Sequence, residues 1–323
     1  MIKKLLNGTV EDGSEQLYPY TFPSFVRRVE DSVANSWFAE VIATGNDKLT
    51  YESGLTPAER KVFDTQFGAL TFFDVNIPSP LAQLLHTCTA PEVRQWIIRQ
   101  MEEERQHQRA YQYCAEVTGI DSDTLYTQHV TVPTLFKTAA IARRYTQDIL
   151  DYCTGAGSLR KMLNGVFFYS QVYEGIWFSG GFPPLLALGE QGKMLNICKQ
   201  LTYIWIDEAQ HIAGWREWLD LAQAETGVLV HKDDAEAMVA EGVEAEVEYA
   251  EAELPAILMY SPRTHGQWIR ALGNIRLDGH NLKPIFKDTA QPNWLSRWQM
   301  RGEAAFFESH PVEYQANQQL NWD

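Results

Sequence analysis

The chain has 323 residues, 45% apolar and 21% charged, an ordinary globular composition for one or two domains. Its formal net charge of −15 argues against general nucleic-acid binding, because contacts to phosphate need Lys and Arg. Cys88, Cys114, Cys153 and Cys198 form no Cys-x-x-Cys pair, which excludes a zinc knuckle or thioredoxin-type motif and leaves buried reduced thiols as the simplest reading.

The first residues, Met-Ile-Lys-Lys-Leu-Leu-Asn-Gly, make a poor signal peptide, and no run of 18 apolar residues predicts a membrane span. Thr56-Pro57-Ala58-Glu59 reads as a capping box with Pro at the first helical position. The helix it opens carries Phe63, Phe67, Leu70 and Phe73 at helical spacing and runs to about Asn76, where Pro78 and Pro80 break it. Thr89-Ala90-Pro91-Glu92 repeats the start signal and predicts a long helix to a stop at Gly119. A third helix, from about Leu159 to Phe182, is apolar nearly all round, as in the middle of a bundle. The stretch Gly180-Gly181-Phe182-Pro183-Pro184 is expected to end it abruptly. A fourth runs from about Lys193 to Ala224, near Gly227, and residues 232–261 read as a fifth with one wet face. Strand signals are scarce, so the expected class is all-α. From about residue 288 periodicity is lost, which predicts a helical domain over 1–287 and a flexible tail over 288–323.

Two Glu-x-x-His motifs carry the chemistry: Glu104 with His107, and Glu208 with His211. Residues three apart share one helix face, so each motif presents a carboxylate and an imidazole together. One such motif is weak evidence, since a wet helix carries Glu and His harmlessly. Here both sit in apolar helices, flanked by Ile97 and Met101 and by Leu201, Ile204, Trp205 and Ile212. Each also has a carboxylate upstream on another apolar helix. Asp74 lies 30 residues before Glu104, and Glu174 lies 34 before Glu208. A lone ionised carboxylate in such surroundings is strongly disfavoured. Four carboxylates balance two divalent cations, and two neutral imidazoles complete the shell. Two carboxylate helices with two Glu-x-x-His helices is the pattern of a di-iron or di-manganese bundle. Oxygen and imidazole donors suit iron or manganese. Tyr111, four residues after His107, shares its face one turn on.

At these residues the sequence resembles the class I ribonucleotide reductase small subunit, the beta or radical-generating subunit, from roughly Trp37 to the C-terminus. The stretches that carry the resemblance are Phe72-Phe73-Asp74, Glu104-x-x-His107-x-x-x-Tyr111, Glu174-Gly175-Ile176-Trp177-Phe178-Ser179-Gly180 and Asp207-Glu208-x-x-His211. The resemblance implies a ferritin-like bundle in which Asp74, Glu104, His107, Glu174, Glu208 and His211 ligate two metal ions, with iron as the first expectation and manganese or a mixed pair as the alternatives. It implies that Tyr111 forms the radical inside an apolar pocket of Phe178, Phe182 and Ile204. Asp207 would bond the ligand histidine and a tryptophan, for which Trp37 is the candidate. Tyr314 would pass the radical to the large (alpha) subunit, docked through the C-terminal tail, with Leu320-Asn321-Trp322-Asp323 as anchor. A cytoplasmic homodimer that binds neither nucleic acid nor membrane is implied too. The competing readings are an oxidase or oxygenase that uses the same site directly on a substrate, and iron storage. Chain length and Tyr111 argue against storage, and Tyr314 argues against the oxidase.

Overall fold

The computed structural model describes residues 2–42, 45–76 and 78–298. Its long helices are α1 (Pro23–Ala34), α2 (Pro57–Asn76), α3 (Pro78–Thr87), α4 (Pro91–Thr118), α5 (Pro133–Cys153), α6 (Leu159–Phe167), α7 (Ser179–Gly189), α8 (Leu195–Thr226), α9 (Lys232–Glu253) and α10 (Pro262–Gly279). A wider π-helical segment, Phe168–Phe178, joins α6 to α7 without a break. Among the described residues there is no strand, only the isolated bridges Leu6–Cys88 and Ile257–Tyr260. The all-α expectation holds.

The capping box at α2 is reciprocal. The Glu59 backbone N–H donates to Thr56 Oγ1 at 3.3 Å, and the Thr56 N–H donates to Glu59 Oε2 at 2.8 Å. α4 stops where expected, at Gly119, whose φ of 76° closes the helix in the left-handed region. It also starts where expected, at Pro91, but the expected cap is a correction. Thr89 caps nothing there; its hydroxyl accepts from the Gly8 N–H. The Glu92 carboxylate turns to the N-terminal segment instead, accepting from Lys3 Nζ and from the backbone N–H groups of Thr21 and Phe22.

Two further expectations are corrected. The helix expected over 232–261 ends at Glu253, because Leu254 precedes Pro255 and takes extended backbone. Nor do Pro183 and Pro184 end the helix that follows Glu174; both lie inside α7. Packing holds them there. A Cβ on Gly180 would lie 2.3 Å from Ile269, and one on Gly181 2.5 Å from Leu70, so α10 and α2 approach the backbone itself.

The π segment packs on α8, α8 on α4, and α4 on α2. These are the four stretches that carry Asp74, the two Glu-x-x-His motifs and Glu174. Around them, α5, α9 and α10 cover the π segment and α1 covers α4. No helix of the described residues is long and apolar enough to cross a membrane. Of the expected tail, Trp294, Leu295 and Trp298 are buried, and the Trp298 indole donates to Glu190 Oε1 at 2.8 Å.

Candidate metal centre

Asp74 sits in the last turn of α2, Glu104 and His107 in the middle of α4, Glu174 in the π segment, and Glu208 and His211 in α8. All six side chains are buried and converge. Donor atoms of Asp74, Glu104, His107 and Glu208 lie within 4.8 Å of one another, as do those of Glu104, Glu174, Glu208 and His211. The two sets share Glu104 and Glu208, so the geometry describes two adjoining positions with two carboxylates common to both.

The hydrogen bonding fits a pair of cations. Among the described residues, eight of the fifteen buried side-chain atoms without a hydrogen-bond partner belong to these six: both oxygens of Asp74 and Glu208, Oε2 of Glu104 and of Glu174, and Nδ1 of both histidines. Buried polar atoms are ordinarily paired, so such a concentration needs a ligand. The imidazoles point the same way. His107 Nε2 lies 3.2 Å from Asp207 Oδ2, and His211 Nε2 lies 3.1 Å from Glu103 Oε2. A carboxylate only accepts, so Nε2 holds the proton and each Nδ1 turns a lone pair inward. His107 Nδ1 stands 3.2 Å from Glu208 Oε1, and His211 Nδ1 stands 3.2 Å from Glu104 Oε1. Lone pairs facing carboxylates repel unless a cation lies between them.

Without that cation the protons redistribute. Burial outweighs the opposing His107 contact and leaves Asp74 well above the carboxylate range. Burial and the charge of Glu208 raise Glu174 as well. Burial opposes ionisation of Glu104 too, but His107 and His211 outweigh it and hold that carboxyl low. Burial pushes both imidazoles down, and the surrounding carboxylates reverse the sign.

Tyr111 is buried, with no hydrogen-bond partner for its phenol. Burial first, then the charges of Asp74 and Glu208, push its pKa well up, so it stays a neutral phenol. Phe67 meets its ring edge-on at 5.3 Å. Phe178, Phe182 and Ile204 are all buried. Phe178 meets Phe182 at 5.2 Å, and Phe182 stacks on Trp205 at 5.6 Å.

Trp37 donates to Asp207 Oδ2 at 2.8 Å and stacks near His107, with ring centroids 6.2 Å apart. A cleft of about 70 Å³ opens over Trp37, Asp207 and Glu103. Tyr314 and the terminal Leu320-Asn321-Trp322-Asp323 lie outside the described residues.

Two neighbours escape the sequence reading, Glu103 and Gln100, and Phe67 is read there only as an apolar helix position, without its contact to Tyr111. Glu103 has a signal in retrospect. Glu103-Glu104-x-x-His107 and Asp207-Glu208-x-x-His211 are the same acidic pattern twice.

A family model described as "Ribonucleotide reductase, small chain" matches residues 14–293. The ribonucleoside-diphosphate reductase subunit beta of Chlamydia pneumoniae is 27% identical, over 95% of this chain and 92% of the relative. Among solved structures, the dimanganese(II)-NrdF of Streptococcus sanguinis superposes with a TM-score of 0.70 at 20% identity, covering 87% of this chain and 95% of that one. The ribonucleotide reductase Rnr4 homodimer of Saccharomyces cerevisiae gives 0.73 at 15% identity, covering 90% and 89%. These structural likenesses show a shared fold, the ferritin-like bundle expected above.

Proposed function

The chain belongs to the ribonucleotide reductase small-chain family, and on that premise we propose that Asp74, Glu104, His107, Glu174, Glu208 and His211 hold two metal ions through which Tyr111 is oxidised to a radical. The family places the chain among oxidoreductases, as a small subunit of ribonucleoside-diphosphate reductase. The observation that carries the proposal is the inward convergence of unpartnered carboxylate oxygens and imidazole Nδ1 atoms from four helical segments. Iron is the first candidate, with manganese or a mixed pair as alternatives, since these donors suit both metals.

When bound, the reduced ions with dioxygen supply a one-electron oxidising equivalent beside the phenol. The protein's own groups then act as follows. Burial keeps Tyr111 protonated until it is oxidised. It gives up one electron and its phenolic proton, the proton leaving towards the carboxylates, Asp74 foremost. Phe67 covers the ring, and the buried block of Phe178, Phe182 and Ile204 excludes water and reductants. Asp207 orients His107 and ties it to Trp37 at the surface cleft. From there the radical passes through Tyr314 to a large subunit that holds the ribonucleotide. The segment after Trp298 is proposed to dock that subunit. A homodimer, supported by the homodimeric yeast neighbour, and a cytoplasmic location complete the proposal.

The test is electron paramagnetic resonance after loading the metal-free protein with ferrous or manganous ions in air. A tyrosyl signal is expected, and Tyr111→Phe should lose it while still taking up metal. No signal with iron, manganese or mixed loading would overturn the proposal.

A further inference from the structure

We propose that Gln100 is a positioning residue for this centre: its side-chain amide ties off one oxygen of Glu174, so that Glu174 offers a cation a single donor atom, and Trp215 fixes which way round the amide sits. The inference rests on the dinuclear reading above.

Gln100 lies one turn before Glu104 on α4 and is 1% exposed. Its Nε2 donates to Glu174 Oε1 at 2.9 Å, to Glu104 Oε1 at 3.2 Å and to the Tyr169 hydroxyl at 3.2 Å. Its Oε1 accepts from Trp215 Nε1 at 2.7 Å. An amide reversed end for end has nearly the same shape, so sterics alone would not orient it. The indole decides, because a Trp N–H only donates. Oε1 must face Trp215, and the two amide hydrogens must face the carboxylates. Trp215 itself has no freedom: it is fully buried, with ring centroids 4.7 Å from Trp96, 5.6 Å from Trp218 and 6.0 Å from Tyr169.

The consequence lies in which oxygens remain free. Oε2 of Glu174 has no partner, whereas Oε1 is held by the shortest of the three amide bonds. Asp74, the corresponding carboxylate of the other position, has both oxygens free. The two positions are therefore unlike. Asp74 can offer two donor atoms, and Glu174 one. A one-oxygen ligand leaves more of its ion's surroundings open to an incoming molecule. Losing the amide would release Oε1 to chelate and close that opening.

The experiment uses the full-length protein, metal-free, loaded anaerobically with cobalt(II). Bound cobalt is counted, and visible ligand-field absorption is recorded for wild type, Gln100→Met and Trp215→Phe. Both variants are expected to bind two cobalt ions with a weaker ligand-field band than wild type, since a higher coordination number lowers its intensity. The change should be larger for Gln100→Met. A Gln100→Met spectrum that superimposes on wild type overturns the proposal. Should Gln100→Met lose its cooperative thermal transition, Trp215→Phe decides: the weakened band supports the proposal and the wild-type band overturns it. Wild type that fails to take up two cobalt ions sinks the dinuclear reading, and this inference with it.

Discussion

The carboxylate of Glu103 on α4 lies 3.1 Å from Nε2 of His211 on α8. The converse contact, from Asp207 on α8 to His107 on α4, spans 3.2 Å. Each Glu-x-x-His helix thus supplies, one residue before its candidate ligand glutamate, the brace for the other helix's histidine. Glu103 is itself held by Ser32 and Arg99, and Asp207 by Trp37. Such contacts set the imidazole tautomer and raise its basicity as a ligand.

Glu103→Ala and Asp207→Ala are therefore each expected to weaken the binding of one metal ion, by about 10- to 100-fold. Calorimetric titration of the metal-free protein with manganous ion measures it. Glu103→Ala should affect the position that contains His211, and Asp207→Ala the position that contains His107. Wild-type affinity in both variants would show the braces to be incidental.

Glu92 provides a pH-dependent contribution to stability, remote from the centre. Burial raises its pKa, but the backbone N–H groups of Glu92 itself, Phe22 and Thr21, together with Lys3, outweigh burial and bring it below the ordinary 4.5. A carboxyl depressed in the fold stabilises above the unfolded value, and that stability is lost as pH falls through the folded value. At neutral pH Glu92→Gln leaves the buried Lys3 ammonium without its counter-charge, at a cost of about 3 kcal/mol. Urea unfolding at a series of pH values should show the gap to wild type narrowing below pH 4.5. A gap independent of pH would contradict the assignment.

Gly214 lies in α8 against Trp96. A Cβ there would stand 2.3 Å from Trp96 Cζ2, and that indole is already packed between Phe25 and Trp215. Gly214→Ala should cost about 1–3 kcal/mol through overpacking. Thermal or urea unfolding of the variant measures the loss.

Removing residues 310–323 should leave the thermal transition and the tyrosyl signal unchanged, because the buried anchors Trp294, Leu295 and Trp298 are retained. Nucleotide reduction with the large subunit should be abolished. Full activity of the truncated protein would remove the docking role from this segment.

The six candidate ligands are legible in the chain because helix geometry is local. A spacing of three places Glu104 with His107 and Glu208 with His211 whatever the rest of the fold does, and an isolated Asp74 or Glu174 in an apolar run demands a partner. The start of α2 and the stop of α4 are equally local, since capping and left-handed termini involve a few neighbouring residues. Less was visible elsewhere. α5 and α10 went unmarked, and Thr89 looks like a cap until the N-terminal segment claims both its hydroxyl and the Glu92 carboxylate. Pro183 and Pro184 read as a stop, yet they continue as helix because α2 and α10 press on Gly180 and Gly181.

By itself, then, the sequence determined which side chains share a helix face and that their buried charges must be matched, since both follow from the 3.6-residue turn and the cost of isolated charge. Only the tertiary structure decided which carboxylate braces which imidazole, and that Gln100 turns its N–H groups towards Glu174 under the direction of Trp215. Those contacts join residues 74 to 115 positions apart. Their partners are chosen by how helices pack, which no local spacing encodes.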